Sequence, residues 1–479
     1  MQKSDLKKIT DYLWEIPKNR WDKMNVPARV YADEKLLEKV FEDRSMGQLV
    51  NVATLPGIQK WALAMPDIHE GYGFPIGGVA AFDLEGIVSP GGVGYDINCG
   101  VRLLRSQITF DEIKDQIVSL MNQSQRDVPS GLGSRHKEKL SDPELNKILD
   151  NGAKELVGKG IGNQNDLDHC EENGSMKDAD SGKVSDRAKN RGRNELGTLG
   201  SGNHFLEIQR VDQIYDEEVA KAFGIFKNQV TIMIHCGSRG LGHQVATDYI
   251  RELLKLVQRE NIWLADRELV YAPIESKEGQ NYLSAMRASA NFAWANRHMI
   301  AHLVHGAWKR ILGDTAGSLD LVYDVAHNIA KIEEHEIEGQ TKKVCVHRKG
   351  ATRAFGPGRE ELHSDYCHIG QPVIIPGTMG TASYILVGTN EAMKQTFGSV
   401  CHGAGRTMSR KKAKRAVDIG KLRREFEKKG IILRVASRGE LGEEAPVAYK
   451  DIDNVVNVVH EAGLARKVAR LRPLGVIKG

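Results

Sequence analysis

The chain has 479 residues, 41% hydrophobic and 27% charged, with a formal net charge of +4. These proportions are ordinary for a globular protein, and so small a charge says nothing by itself about partners. Six cysteines form no Cys-x-x-Cys pair, and no apolar run is long enough to span a bilayer. A disulfide scaffold, a structural zinc module and a membrane protein are therefore disfavoured, and a cytoplasmic location is the expectation.

Taken in order, Asp33–Phe41 carries Leu36, Leu37, Val40 and Phe41 at helical spacing. The stretch from Gly71 to Gly100 holds nine glycines in thirty residues, a density that marks turns or backbone pressed close to a ligand. It fits neither a P-loop nor a dinucleotide fingerprint. Its last part, Ser89-Pro-Gly-Gly-Val-Gly-Tyr-Asp-Ile-Asn-Cys-Gly100, sets Asp96 and Cys99 three residues apart before a strand at Val101–Arg105. A helix follows from Asp111, with Ile113, Ile117, Val118 and Met121 on one face. Residues 163–194 are polar and poor in large apolar side chains, which predicts a mobile surface insertion or lid. A glycine turn from Leu199 then feeds a strand that starts at His204 and runs to Ile208, and strands are predicted from Val230 to His235 and over Leu319–Asn328, with helices at Gln244–Arg259 and Lys277–Ile311, the latter one long helix or a pair. Later strands are predicted at Pro372–Ile375, Ala382–Gly388 and Ile431–Ala436. The mixture argues for an α/β or α+β architecture with central β-sheet flanked by helices. With no repeat and no clean linker, one large domain over residues 1–479 is expected, carrying the polar insertion.

Three of these strands begin or end in histidine: His204, His235 and His327. Strand ends are where a rigid scaffold delivers functional side chains. With Asp96 and Cys99 they make a carboxylate, a thiol and three imidazoles, a set suited to one or two transition-metal ions such as manganese, zinc or iron. His298, His302 and His305 also share a helix face, but they lack an acidic partner and read as packing. His402 precedes Gly-Ala-Gly405, which leaves room for a phosphate ester, and Arg406 is placed to pair with an anion. From Arg406 to Arg424 the chain has nine Lys or Arg and one acid, a candidate track for nucleic-acid phosphates that Arg239 and Lys349 extend.

The sequence closely resembles the RtcB family of GTP-dependent RNA ligases. The motifs that carry this are Pro66-Asp-Ile-His-Glu-Gly, Gly94-Tyr-Asp-Ile-Asn-Cys-Gly100, Gly200-Ser-Gly-Asn-His-Phe-Leu-Glu207, His235-Cys-Gly-Ser-Arg-Gly240, Ala326-His-Asn328, Pro376-Gly-Thr-Met-Gly-Thr-Ala-Ser-Tyr384 and Ser399-Val-Cys-His-Gly-Ala-Gly-Arg406. The resemblance implies an α+β catalytic domain in which Cys99 bridges two Mn2+ ions, one completed by Asp96 and His204 and the other by His235 and His327. It implies that His402 is the nucleophile that takes GMP from GTP. Glu207, Ser383, Tyr449 and Lys478 match the guanine pocket with Phe205 packed there, and Asn203, Asn328, Thr378, Ala404 and Arg406 match other nucleotide-contacting positions. Arg239, Lys349 and Arg410 would face RNA. The implied reaction joins an RNA 3′-phosphate or 2′,3′-cyclic phosphate to a 5′-hydroxyl, in transfer-RNA splicing or RNA repair, with archease as a possible helper. The residues alone also allow a cyclic phosphodiesterase that does not ligate, or a non-catalytic RNA-binding protein.

Overall fold

The strands predicted around Val101, Val230 and Leu319 lie side by side. In the computed structural model, which describes residues 2–136, 139–435 and 438–479, Gly100–Thr109 pairs antiparallel with Asp320–Ala326 on one side and Gln229–Cys236 on the other. The sheet continues through Phe205–Ile214, Ala465–Lys478, Ser383–Gly388 and Pro372–Ile375. Alternating Val, Ile, Leu and Met side chains bury both faces of these strands, as a sheet covered on each side requires. The fold is α+β, as expected.

Register explains why this sheet makes a site. Gly100 is opposite both Ala326 and Cys236, Phe205 is opposite His235, and Lys478 is opposite Phe205. Cys99, His204, His235, His327 and Lys478 are therefore gathered at one end of adjacent strands. Gly100 is required there, because a Cβ would lie 2.1 Å from the Val325 carbonyl oxygen.

A second sheet runs Lys7–Lys8, Leu13–Ile16, Ala28–Tyr31, Ala62–His69, Ile76–Asp83, Gln340–Lys349, Asn328–Ile337. The chain passes directly from the first sheet to the second at His327, since Asp320–Ala326 ends one residue before it and Asn328–Ile337 begins one residue after. The short pair Ala351–Arg353 and Ser399–Cys401 sets Ala351 opposite Cys401, which brings His402 beside Gly350. A single helix, Lys277–Leu312, crosses behind the site, capped at its start by the Ser276 side chain, which accepts from the Gly279 N–H.

Two expectations need correction. Residues 163–194 are not a loose insertion: Leu167, Cys170, Met176, Val184 and Ala188 are buried with Leu149, Met286 and Trp294 in one core cluster, and the helices Gln164–Asp168 and Asp186–Gly192 are capped by Asn163 and Ser185. Val118 is 47% exposed, while Leu120 takes the place expected for it in the core. Of the two alternatives for Lys277–Ile311, the single long helix is observed, as Lys277–Leu312. The Asn328–Ile337 and Gln340–Lys349 hairpin and the 14-residue strand Ala465–Lys478 were not foreseen.

Candidate active site

A cavity of about 240 Å³ opens where the two sheets meet, lined by Asp96, Cys99, His235, His327 and His402 among others. Asp96, Cys99 and His204 bring one ligand atom each to within 4.8 Å of one another. His204 Nε2 lies 2.8 Å from Asp96 Oδ2 and 3.7 Å from Cys99 Sγ, and His235 Nε2 lies 3.3 Å from the same sulfur. His204 Nδ1 donates to the Leu199 carbonyl, which turns Nε2 toward the cluster. His327 Nδ1 faces Thr352 Oγ1 at 2.9 Å, leaving Nε2 buried with no hydrogen-bond partner among the described residues. Such orphaned nitrogens fit a metal ion.

The electrostatics divide the cluster: burial would lower His204, but Cys236 and Asp96 hold it well above the ordinary imidazole value. Burial pushes the Cys99 thiol up to about 11, with Asp96 adding to the effect, and burial holds His235 and His327 well below the ordinary imidazole value. Neutral imidazoles are the ligand form, and a bound cation would favour the thiolate. Burial alone would raise Asp96, but the neighbouring His204 more than offsets it and keeps Asp96 below its usual value.

Beneath this cluster the backbone is clamped by Arg297. It is fully buried, donates from Nη1 to the carbonyls of Asn98 and Cys236, and pairs with Asp324 at 2.7 Å. One guanidinium thus fixes the residue before Cys99 and the residue after His235. Asp324 is shared with the equally buried Arg102.

His402 sits at the other wall. Its Nδ1 is 2.6 Å from Oδ2 of Asp67, and the same oxygen accepts from the backbone N–H of His402 and of Gly403. Asp67 comes from Ala62–His69 and its side chain is wholly buried. The rings of His204, His235, His327 and His402 follow one another at centroid spacings of 5.8, 5.6 and 5.5 Å. The motif Pro66-Asp-Ile-His-Glu-Gly contains Asp67, but nothing in the sequence gives that carboxylate a role or a partner.

The remaining expected residues surround the cavity with differing engagement. Asn203, Phe205, Asn328, Thr378, Ala404, Arg406, Arg410, Tyr449 and Lys478 line it. Asn328 already spans the backbone, with Nδ2 donating to the Asp96 carbonyl and Oδ1 accepting from the Gly350 N–H. Glu207 is buried, accepts from Gln209 Nε2 at 2.7 Å, and is pushed by burial up to about 8. Ser383 Oγ accepts from the Gly377 N–H and from Gln209, and burial lowers Lys478, whose Nζ stands 5.7 Å from the Phe205 ring centre.

Arg406 is not free. It donates to Glu444 and to the Tyr449 hydroxyl, and Arg410 donates to the other Glu444 oxygen. Burial works against the Glu444 charge, but Lys478, Arg410 and Arg406 together bring its carboxyl down to about 2. Arg239 opens the helix Arg239–Arg259 with φ 57° and lays its guanidinium against Gly200. Lys349 departs from the expected phosphate track. It is 3% exposed, with Nζ on the carbonyls of Tyr72 and Gly91, and burial pushes it down to about 7. The rival His298 donates from Nε2 to the Ile161 carbonyl and contacts Arg102, in keeping with a packing role.

A buried carboxylate, thiol and imidazole cluster facing a carboxylate-backed histidine defines the site of an enzyme with a candidate metal centre. The family model described as "tRNA-splicing ligase RtcB" matches residues 48–479. The chain is 56% identical to the tRNA-splicing ligase RtcB of Archaeoglobus fulgidus over 477 residues, covering 99% of each chain. It is 56% identical to that of Thermococcus kodakarensis over 478 residues, again 99% of each, and 49% identical to the RNA-splicing ligase RtcB of Mycobacterium bovis over 437 residues, 90% of this chain and 100% of that one. The chain belongs to the RtcB family, and it is an RNA ligase.

Proposed function

We propose that the enzyme uses GTP and two manganese ions to join RNA 3′-phosphate or 2′,3′-cyclic phosphate ends to 5′-hydroxyl ends through a histidine–GMP intermediate. The observation that supports this best is the 2.6 Å contact of His402 Nδ1 with Asp67, in the cavity that also holds the donor cluster. A carboxylate that keeps the proton on Nδ1 leaves Nε2 with its lone pair. His402 Nε2 attacks the α-phosphorus of GTP, the bond to the bridging oxygen breaks, and pyrophosphate leaves. Asp67 steadies the positive ring that results. An oxygen of the RNA 3′-phosphate then displaces His402 from that phosphorus, freeing Nε2. The 5′-hydroxyl attacks the 3′-phosphorus, expelling GMP, and its proton passes to water. A cyclic end is hydrolysed to the 3′-phosphate first.

Cys99 would bridge the two ions, with Asp96 and His204 on one and His235 and His327 on the other. When bound, the ions supply positive charge that polarises phosphoryl oxygens and offsets the charge of the leaving group. Glu207, Ser383, Tyr449 and Lys478 receive the guanine, with Phe205 packed against it, and Asn203, Asn328, Thr378, Ala404 and Arg406 face the rest of the nucleotide. Arg239 and Arg410 meet the RNA backbone. The substrates are transfer-RNA halves or broken RNA, the setting is the cytoplasm, and archease is a candidate partner.

The test is transfer of label from α-labelled GTP to protein in the presence of manganese. An acid-labile, base-stable adduct is expected on the wild type and not on His402→Ala. A wild type that takes no label with any divalent metal would overturn the reading.

A further inference from the structure

A second group of metal-type ligands lies outside this cavity, and none of its members lines it. His169 follows the helix Gln164–Asp168, and His363 and Asp365 stand at the start of the helix Ser364–Cys367. His169 Nε2 is 3.0 Å from Asp365 Oδ2, and His363 Nδ1 is 3.5 Å from the same oxygen. All three ligand atoms lie within 4.8 Å of one another. Donors on one tetrahedral ion with bonds near 2.0–2.2 Å are separated by about 3.3–3.6 Å, so small side-chain adjustments bring these three onto one ion.

The hydrogen-bond pattern sharpens this. His169 is 4% exposed, and its Nδ1 lies 3.0 Å from the Asn165 carbonyl oxygen, which can only accept. Nδ1 therefore carries the proton, and in the neutral ring Nε2 is a lone pair aimed at a carboxylate oxygen. His363 Nδ1 is a lone pair as well, for it accepts the Asp365 N–H across a long 3.4 Å. Three acceptor atoms from three side chains thus converge on one point. A carbonyl-anchored Nδ1–H with Nε2 turned inward is the arrangement that fixes a histidine ligand.

The surroundings hold the donors still. The His169 ring packs against Tyr366 at 5.1 Å and His363 at 5.2 Å, and Tyr366 is itself anchored by donating to the Val322 carbonyl. His363 and Asp365 keep side-chain exposures of 34% and 55%, so an ion can enter from solvent and a water can complete the shell.

We propose that His169 Nε2, His363 Nδ1 and the Asp365 carboxylate form a third metal site, which takes a zinc-like divalent ion and ties the 164–174 segment to the Ser364–Cys367 helix. Two imidazoles and one carboxylate favour Zn2+ or Co2+ over Mg2+ or Ca2+. The role is structural. The residue after His169, Cys170, bridges to Asp324, and Glu171 and Glu172 pair with Lys331, so the ion would pin the end of a segment that continues to the Asp324 beneath the active site.

Equilibrium dialysis of the full chain against Zn2+ counts the site directly. The wild type is expected to bind one equivalent per chain more than either His363→Ala or Asp365→Asn, and Asp365→His, which keeps a donor, is expected to recover it. Zn2+ should raise the melting temperature of the wild type more than that of the two variants, with far-UV circular dichroism as the check that each is folded. Equal zinc stoichiometry in wild type and both variants would overturn the proposal, and so would an Asp365→His chain that binds no more than Asp365→Asn. That second result is what a plain ion pair between a protonated His169 and Asp365 would give.

Discussion

The two walls of the active-site cavity are held in opposite ways. On the donor wall, Cys99, His235 and His327 leave the ends of core strands, and Arg297 grips the backbone on either side from a position with no exposure. On the arginine wall, Arg406 and Arg410 are steered by one carboxylate, Glu444, and the Arg410 side chain is 54% exposed. A buried guanidinium with its partners satisfied cannot move without leaving charge unpaired in the interior. Glu444 itself is 1% exposed and Arg406 17%, so only the exposed end of the pair, Arg410, can be exchanged for another anion at little cost. One wall is therefore preorganised to present the donors of the candidate metal centre. On the other, Arg410 is the group poised to trade Glu444 for a phosphate.

The largest effect expected from this contrast is at Asp67. Asp67→Asn keeps the shape and an oxygen that accepts from Nδ1, but it removes the charge that steadies the ring once it is positive. Adduct formation from α-labelled GTP should fall by about 10²–10⁴-fold, with the folded state intact by circular dichroism. A fall of less than threefold would show that the carboxylate does not tune the ring. Next comes Arg297→Leu, which removes the clamp and leaves Asp324 facing only Arg102. The loss should be about 3–5 kcal/mol of stability in urea unfolding, with manganese retained less well on gel filtration. Unchanged metal retention in a variant that still folds would mean the strand ends are set by register alone.

Much of the donor wall was legible because apolar runs that end in histidine are rare enough to notice. Pro372–Ile375 is observed with its expected bounds, Ala382–Gly388 begins one residue later than expected, and of Ile431–Ala436 the start is one residue off while Ala436 lies outside the described residues. Other parts could not be read. Asp67 lies in an ordinary-looking strand, and only the fold brings it to a histidine 335 positions away. Arg297 sits next to His298, in a helix whose histidines drew attention while its arginine did the bracing. The 163–194 segment buries Leu167, Met176 and Val184 singly, too sparsely for a periodic signal. Ala465–Lys478 alternates basic and apolar residues across a proline, which resembles a solvated tail more than a strand central to a sheet. Lys349 looked like a neighbour of the basic run because sequence does not tell which cations point inward.

Lys349 gives a smaller test of the same contrast, through pH. Its folded value near 7 lies below the 10.5 of an unburied lysine, so the unfolded chain binds the extra proton between those values. Stability should therefore rise with pH from about 7 to 10.5, by up to about 1.4 kcal/mol per unit, and Lys349→Met should remove that part of the slope. A phosphate-binding lysine would behave otherwise: its loss would flatten the salt dependence of RNA binding and leave the pH profile of unfolding alone.

The smallest expected effect is at Glu444. Glu444→Gln keeps a hydrogen-bonding group but removes the charge that occupies Arg406 and Arg410. If that carboxylate stands in for a phosphate at its exposed partner Arg410, RNA should bind more tightly by up to about fivefold at low salt, the scale of one exposed ion pair. The slope of log affinity against log salt should steepen by about 0.7 for each arginine newly available to a single strand. Filter binding across a salt series separates the outcomes. Weaker binding with an unchanged slope would mean that Glu444 positions the two arginines for the RNA instead of holding their place until it arrives, and the arginine wall would then be as preorganised as the donor wall it faces.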